Sequence, residues 1–309
     1  MINFRYHVVS LVAVLVALGV GLVMGAGLLS SGTGSAAAVE VVDLQAEAAL
    51  LREKVADAQD TLAFADAYGA AVQPDAVAAE LEGRSVVVVA LPGADEAAVA
   101  ATREAVSAAG GQVTGTLTVT PEWTDAGSAA VLDSLAAQLV TSGTNLDEST
   151  DGYERGALVL ASSVLEPAGS TEASPESLDT TAAAFADAGL VLAEPLRSTA
   201  DLAVLVTGGP VTDDSEAGRR LAALTSLAGA FDAAGSGAVL AGPPAAARPL
   251  GVVETLRADP DLAAAVSTVD VLATSAGRTV AVLALAEQAE GGVGHYGGVG
   301  EVDGPQPQG

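Results

Sequence analysis

The chain has 309 residues, of which 12 are basic and 39 acidic, so its formal net charge is −27. A chain this acidic repels phosphate backbones, which excludes nucleic acid as a partner. Cysteine is absent, which excludes disulfides, thiolate nucleophiles and thiolate metal sites. Half of the residues are apolar and only 3% are aromatic, so we expect a core of small side chains in regular elements.

An uncharged apolar segment occupies residues 8–29. About 22 helical residues reach roughly 33 Å, enough to cross a hydrocarbon layer of about 30 Å. Arg5 precedes the segment and the first charges after it are acidic, so the positive-inside rule predicts a cytoplasmic N-terminus and an extracytoplasmic remainder. The sequence therefore predicts a single-pass protein of the cell membrane. A signal peptide cleaved at the alanines 36–38 is the alternative.

Small residues recur at every fourth position of this segment: Ala13, Ala17, Gly21 and Gly25. Such a ridge lets a second helix backbone approach closely, which predicts a paired anchor in the bilayer. The alternative is that small residues are simply common in membrane segments.

A heptad pattern follows a predicted hinge at residues 30–38. It predicts a coiled-coil helix over 39–73, ended by Pro74, that pairs with a second copy or with another envelope protein. Three of the eight seam positions are alanine, so the seam buries little area and we expect weak association without the membrane tether. A lone amphipathic helix lying on its own globular domain is the alternative. The seam positions are Val41, Leu44, Ala48, Leu51, Val55, Ala58, Leu62 and Ala65.

Strands and helices alternate over residues 74–290. The valine run at 84–91 lacks polar alternation, as is typical of a parallel strand covered on both faces. Strands separated by helices predict a Rossmann-like, mainly parallel, three-layer α/β domain. Residues 157–165 fit either a strand or a helix, and the Gly/Pro tail at 291–309 is predicted to be disordered. The predicted organisation is a cytoplasmic N-terminus (1–7), membrane helix (8–29), hinge (30–38), coiled-coil helix (39–73), α/β domain (74–290) and tail (291–309).

The sequence does not support catalysis or a bound cofactor. A GxGxxG pattern at Gly292, Gly294 and Gly297 has no helix behind it to offer free amides to a pyrophosphate. The only histidines are His7 and His295, so no Ser-His-Asp triad can form in the folded domain. We therefore expect a protein that is not an enzyme, with no catalytic or cofactor-binding residues.

Ligand sites in parallel sheets gather where the carboxyl ends of strands meet the following loops. The loops 92–96, 120–125, 208–214 and 242–244 should share that edge of the sheet. Trp123 lies in one of them and is the only tryptophan, so it is a candidate anchor for a partner. The alternative is that Trp123 covers the end of the core.

Several segments together resemble the actinobacterial MctB family, whose corynebacterial members are called SteB. They are the opening MINFRYHVVSLVAVLVALGVGLVMGAGLL, LAFADAY, VVVVALPGAD, and the series STVD, AGR, LALAEQ and GHYG between residues 267 and 297. The resemblance spans residues 1–297, and its opening and its last series are the more specific parts. It implies an envelope protein with a role in copper homeostasis or export in mycobacteria, and in cell separation beside a membrane partner in corynebacteria.

The residues offer little that binds copper. Copper(I) favours sulfur and copper(II) favours imidazole, but the methionines are Met1 and Met24 and the only histidine beyond the anchor is His295. His295 is therefore a weak candidate metal ligand. We expect a contribution to copper homeostasis through an assembly. The alternative is a SteB-like, non-enzymatic adaptor in cell separation that binds a membrane partner and influences wall hydrolysis.

Overall fold

The computed structural model describes residue 17 and the ranges 34–140, 151–166, 175–193 and 196–307. The chain divides into two compact units, Met1–Ala65 and Asp66–Gly309. None of the helices in the described part has an apolar stretch long enough to cross a bilayer. Apart from Ala17, which is helical, the predicted membrane segment at 8–29 lies outside the described residues, together with Ala13, Gly21 and Gly25 of its ridge.

The predicted helix after the hinge is present but longer than expected. Helix α1 runs from Gly34 to Ala76, so the prediction that residues 34–38 belong to a hinge is wrong. The alanines at 36–38 are strong helix formers, and they extend the helix toward the N-terminus. Pro74 does not end it, because proline in the last turn removes one hydrogen bond and the amide of Val77 still bonds the carbonyl of Gln73 at 3.0 Å.

The seam side chains of α1 in the first unit are exposed to solvent. Leu51, Val55 and Leu62 are 54%, 55% and 58% exposed. The side chains of Val41 and Leu44 lie outside the described residues. The seam therefore presents an apolar stripe that the described part of this unit does not cover.

The second unit is built around a seven-stranded sheet with the order β3-β2-β1-β4-β5-β6-β7. All described strand pairs are parallel except β2 with β3. The fold class is thus confirmed as mixed α/β with a mostly parallel sheet. The strands are β1 (Ser85–Ala90), β2 (Gln112–Val119), β3 (Val191–Ala193), β4 (Leu202–Val206), β5 (Ala238–Ala241), β6 (Ser267–Val269) and β7 (His295–Tyr296).

Helices cover both faces of this sheet. Val86 and Val88 of β1 face one core, and Val87 and Val89 face the other, which explains the valine run without polar alternation. Helices α2 (Glu96–Ala108) and α9 (Ser275–Ala289) pack on the first face. The other face carries α3 (Ser128–Leu139), α4 (Gly152–Val164), α5 (Pro175–Asp187), α6 (Ala217–Ala234) and α7 (Val252–Ala258), and α8 (Pro260–Ala263) follows α7.

Two local predictions are settled by packing. The open segment 157–165 belongs almost entirely to helix α4, whose residues Leu160 and Val164 are buried against the sheet. The prediction of a disordered tail is wrong for 291–307, because His295 and Tyr296 form β7 and pair with β6. The carboxylate of Asp270 accepts hydrogen bonds from the backbone amides of Gly298 and Val299, and these bonds hold the glycine-rich segment in place.

Candidate functional site

A cavity of about 410 Å³ opens at the carboxyl edge of the sheet. It lies where the strand order reverses between β1 and β4, the place at which open α/β sheets bind ligands. Three of the four predicted loops contribute to it, through Gly93, Gly208 and Pro243. The fourth loop, 120–125, does not line it. We call this cavity, with the residues that line it, the strand-end cleft.

The walls of the strand-end cleft are mostly small and apolar. Gly93 and Gly208 lie backbone to backbone, because a Cβ on Gly208 would overlap the carbonyl oxygen of Gly93. Helix α2 contributes Ala97, Ala98 and Ala101. The remaining lining residues are Asp95, Val206, Thr207, Gly209, Leu272, Ala273 and Arg278.

The two helices that begin beside the cleft have capped N-termini. The carboxylate of Asp95 accepts a hydrogen bond from the amide of Ala98 at 2.9 Å, at the start of α2. At the start of α9, Thr274 Oγ1 accepts from the amide of Gly277 at 3.0 Å. These caps take amides that a phosphate would otherwise use, and Asp95 adds a negative charge. The cleft therefore lacks the features of a dinucleotide site.

Asp66, near the end of α1, also binds the start of α9. Its Oδ1 accepts from the amide of Ser275 at 2.5 Å, and its carbonyl accepts from Ser275 Oγ at 2.9 Å. This hydrogen bonding, mainly to the Ser275 amide and with a smaller effect of Arg278, lowers the pKa of Asp66. Gly69 lies one turn further along α1, and a Cβ there would overlap Ser275 Oγ. The part of α1 that belongs to the second unit, from Asp66 onward, therefore contacts the start of α9.

Arg278 supplies the positive charge of the strand-end cleft. It is half-buried, and one of its Nη1 hydrogens is donated to the carbonyl of Ala273 at 3.3 Å. Among the described residues it forms no ion pair, whereas five other half-buried arginines do. Those five are Arg84, Arg155, Arg219, Arg220 and Arg257.

A second polar cluster fixes the C-terminal segment against β6. Asp270 is fully buried, and its Oδ2 pairs with Arg257 Nη1 at 3.0 Å. Gly297 has a φ of +143°, and a Cβ there would overlap the Asp270 carboxylate, so only glycine fits. We call this cluster the β6 clasp. Its other hydrogen bonds run from the amides of Gly298 and Val299 to Asp270, and from Arg257 to Thr268 Oγ1 and to the carbonyls of Tyr296 and Val299.

His295, the weak metal candidate, belongs to this clasp. Its Nδ1 lies 3.0 Å from Thr268 Oγ1. That hydroxyl accepts from Arg257 Nε, so its own proton is available to Nδ1, which makes Nδ1 an acceptor and leaves the ring proton on Nε2. The ring also forms a hydrogen bond with the backbone of Ala263. The pKa of His295 is lowered, mainly by burial and to a smaller extent by the positive charge of Arg257. The imidazole is thus engaged within the fold.

The prediction of Trp123 as an exposed anchor is wrong. Its side chain is fully buried, and its ring stacks on Phe185 with centroids 5.9 Å apart. It lies in the short 3-10 turn Pro121–Thr124 and belongs to the core on the face of the sheet that carries α3 to α7. The alternative, that Trp123 covers the end of the core, is confirmed.

A larger cavity of about 660 Å³ lies beside α2 and β2. Arg197 and Glu104 are among the residues that line it, with Thr114 at the point where the pairing of β2 with β1 slips by one residue. No histidine or methionine contributes to either cavity. In the described part of the chain, no group of three or more His, Asp or Glu side chains converges as a metal site would require.

The family model described as "Copper transport outer membrane protein, MctB" matches residues 1–307. This chain belongs to the MctB family. A protein of Mycobacterium tuberculosis strain H37Rv named "Copper transporter MctB" is 34% identical over 306 residues, which is 96% of each chain. The protein of the same name from Mycobacterium leprae is 32% identical over 314 residues, again 96% of each chain.

Two segments that carry the MctB resemblance contain the arginine and aspartate that organise these sites. Asp270 ends the STVD segment and Arg278 ends the AGR segment. Reasoning from residue types missed both, because an isolated Asp or Arg carries no motif of its own. The grouping of STVD, AGR and GHYG was the available signal, since the fold brings STVD and GHYG together in the β6 clasp.

Proposed function

We propose that this chain contributes to copper homeostasis or export as a single-pass envelope protein that acts through an assembly. The match to the MctB family over residues 1–307 carries the proposal, together with relatives named copper transporters. The uncharged segment 8–29 would anchor the chain in the cell membrane, with the α/β unit on the extracytoplasmic side.

The chemistry of the described residues supports an indirect role in copper handling. Copper binds best to sulfur and imidazole ligands. The sequence has no cysteine, and the single described histidine, His295, already bonds Thr268 within the β6 clasp. We therefore propose that copper is bound by other members of the assembly, and that this chain has no cofactor and is not an enzyme.

The exposed seam of α1 is the surface we propose for assembly. Leu51, Val55 and Leu62 lie on one stripe of the helix at heptad spacing, and more than half of each side chain is exposed. Pairing with a second copy, or with another envelope protein, would bury these side chains. The ridge of Ala13, Ala17, Gly21 and Gly25 would add contact within the bilayer.

A copper titration of the purified full-length chain tests whether it binds the metal itself. We expect no micromolar binding site for copper(I) or copper(II) that depends on His295. A His295→Gln variant is the comparison, since glutamine keeps a hydrogen-bond donor and acceptor but removes the imidazole. Micromolar binding that is lost in His295→Gln would contradict the indirect role.

The assembly role is tested by charges placed on α1. Leu51→Glu combined with Leu62→Glu should abolish crosslinking through a probe near Val41 and lower the copper tolerance of cells. Ala56→Glu adds the same charge to an exposed position off the seam and should change neither. Unchanged crosslinking in the double variant would contradict a role for the seam, and unchanged copper tolerance would contradict the link to copper.

A SteB-like adaptor in cell separation is the second candidate, and the uncovered apolar seam favours it. In this role the chain would bind a membrane partner that influences wall hydrolysis. Deleting the gene and rescuing it with the seam variants separates the two roles. Copper sensitivity with normal cell separation favours the first proposal, and chained cells with normal copper tolerance favour the adaptor.

A further inference from the structure

Arg278 is placed where an anion could bind. It lines the strand-end cleft and is partly exposed, and its side chain donates one hydrogen bond within the described residues, to the Ala273 carbonyl. Arg278 helps to lower the pKa of Asp66, but that carboxylate bonds the amide of Ser275. Among the described residues Arg278 forms no ion pair, in contrast to the five arginines that do.

The other residues that line the cleft determine which kind of molecule can carry the anionic group. Beyond Arg278, the apolar lining residues include Ala97, Ala98 and Ala101 of α2, together with Leu272 and Pro243. This lining favours an aliphatic body over a polar one. The volume of about 410 Å³ suits a small molecule, and the walls have too few polar groups for a nucleotide.

The other charge at the cleft limits the ligand to a single negative group. Asp95 lies at the start of α2, and its carboxylate already bonds the amide of Ala98. Glu96 follows it and is exposed. A pyrophosphate or a dicarboxylate extending toward this end would be repelled, whereas one carboxylate at Arg278 would not.

We propose that the strand-end cleft binds a small aliphatic monocarboxylate, whose carboxylate pairs with Arg278 and whose hydrocarbon chain packs against the alanines of α2. Arginine pairs with a carboxylate through two parallel hydrogen bonds, which the donors not used by Ala273 can supply. The position at the reversal of strand order is where this kind of sheet places its ligands. The inference does not depend on the role in copper homeostasis.

Hexanoate is the probe that tests this site, because it joins one carboxylate to a short aliphatic chain. Binding to the full-length chain in lipid nanodiscs is measured by saturation-transfer NMR, with empty nanodiscs as the blank. We expect saturable binding in the millimolar range, with no comparable binding of hexylammonium. Inorganic phosphate should not displace hexanoate at equal concentration, because it cannot use the apolar walls.

Three variants separate the cleft from the rest of the surface. Arg278→Gln should weaken hexanoate binding at least tenfold, and Ala101→Leu should abolish it by filling the cleft while leaving Arg278 in place. Arg248→Gln removes the same charge from an exposed arginine outside the cleft and should leave binding unchanged. Circular dichroism confirms that each variant is folded.

The proposal is overturned by any of three results. Equal hexanoate binding by wild type and Arg278→Gln would show that the guanidinium is not the partner. Equal binding by Ala101→Leu would place the ligand outside the cleft. Full displacement by phosphate would mean that an anion alone is recognised and that the apolar walls play no part.

Discussion

Two arginines of the second unit have different surroundings. Arg257 donates to Asp270, Thr268 and two backbone carbonyls, and so joins β6 to the C-terminal segment. Within the described residues, the Arg278 side chain donates one hydrogen bond, to a neighbouring carbonyl, and it lines a cavity. The first guanidinium is therefore engaged in the fold, while the second is the one that we propose binds a ligand.

Two carboxyl groups, those of Asp270 and Asp232, also differ in whether a cation is their partner. Asp270 is fully buried but has a cation and two amides as partners. Asp232 is partly buried and accepts one hydrogen bond, from the amide of Ala238 at 3.1 Å. Burial raises the pKa of Asp232 to about 6, with the Ala238 amide opposing it. Burial without a cation therefore keeps this carboxyl largely protonated up to about pH 6.

Asp270→Ala should have the largest effect, because it leaves the Arg257 guanidinium buried without its counter-ion. Removing one member of a buried pair costs about 3–5 kcal/mol of the free energy of unfolding. Chemical denaturation followed by circular dichroism measures this loss. Asp303→Ala, in the same segment but exposed, should cost much less even though its carboxylate accepts from the His295 amide. Similar losses in both variants would mean that the buried pair is not what fixes the segment.

Asp232→Asn should stabilise the protein at alkaline pH. In the wild type, this carboxyl has no effect on stability below its ordinary pKa of 3.8. Its destabilising effect grows as the pH rises from 3.8 to the folded pKa of about 6, and it stays constant above that value. Asparagine removes that penalty and can still accept from Ala238, so we expect a gain of about 2–3 kcal/mol at pH 8. Denaturation at pH 4 should show almost no difference. A gain that is equal at both pH values would contradict burial of the charged carboxylate as its cause.

Asp66→Ala should cost about 1 kcal/mol at neutral pH, the usual loss for removing a cap at a helix N-terminus. The pKa of Asp66 is lowered, so its stabilisation is fully present above 3.8 and is lost as the pH falls through the folded value. The difference from wild type should therefore shrink in strong acid. Asp60→Ala, on an exposed part of the same helix, is the control and should show no such dependence.

Arg278→Gln should have the smallest effect, within about 0.5 kcal/mol of wild type in the absence of ligand. Arg278 makes one long hydrogen bond to the fold, so its loss leaves no buried charge unpaired. Thermal unfolding of Arg278→Gln and of Asp270→Ala, each compared with wild type, measures how much stability each variant loses. A loss comparable to that of Asp270→Ala would show that Arg278 supports the fold and is not held for a ligand.

Much of the fold could be predicted from periodicity and from Gly and Pro positions. The valine run at 84–91, predicted as a parallel strand covered on both faces, forms β1 (Ser85–Ala90) with helices on both sides. The segment 157–165 could not be assigned, because an apolar run of this length fits either element when both are buried. The glycine-rich end was misjudged, since its order depends on Asp270, which lies more than 20 residues earlier in the chain.

Residue types and local spacing were enough to establish the acidic character of the chain, its α/β class, its apolar segment at 8–29 and its poverty in copper ligands. The pairing of charges, in contrast, was settled by packing between distant segments. Arg257 pairs with Asp270, whereas Arg278 forms no ion pair within the described residues, although both arginines lie in helices. Which charged side chains form ion pairs depends on which strands and loops the fold brings together at one edge of the sheet. Local sequence patterns do not contain that information.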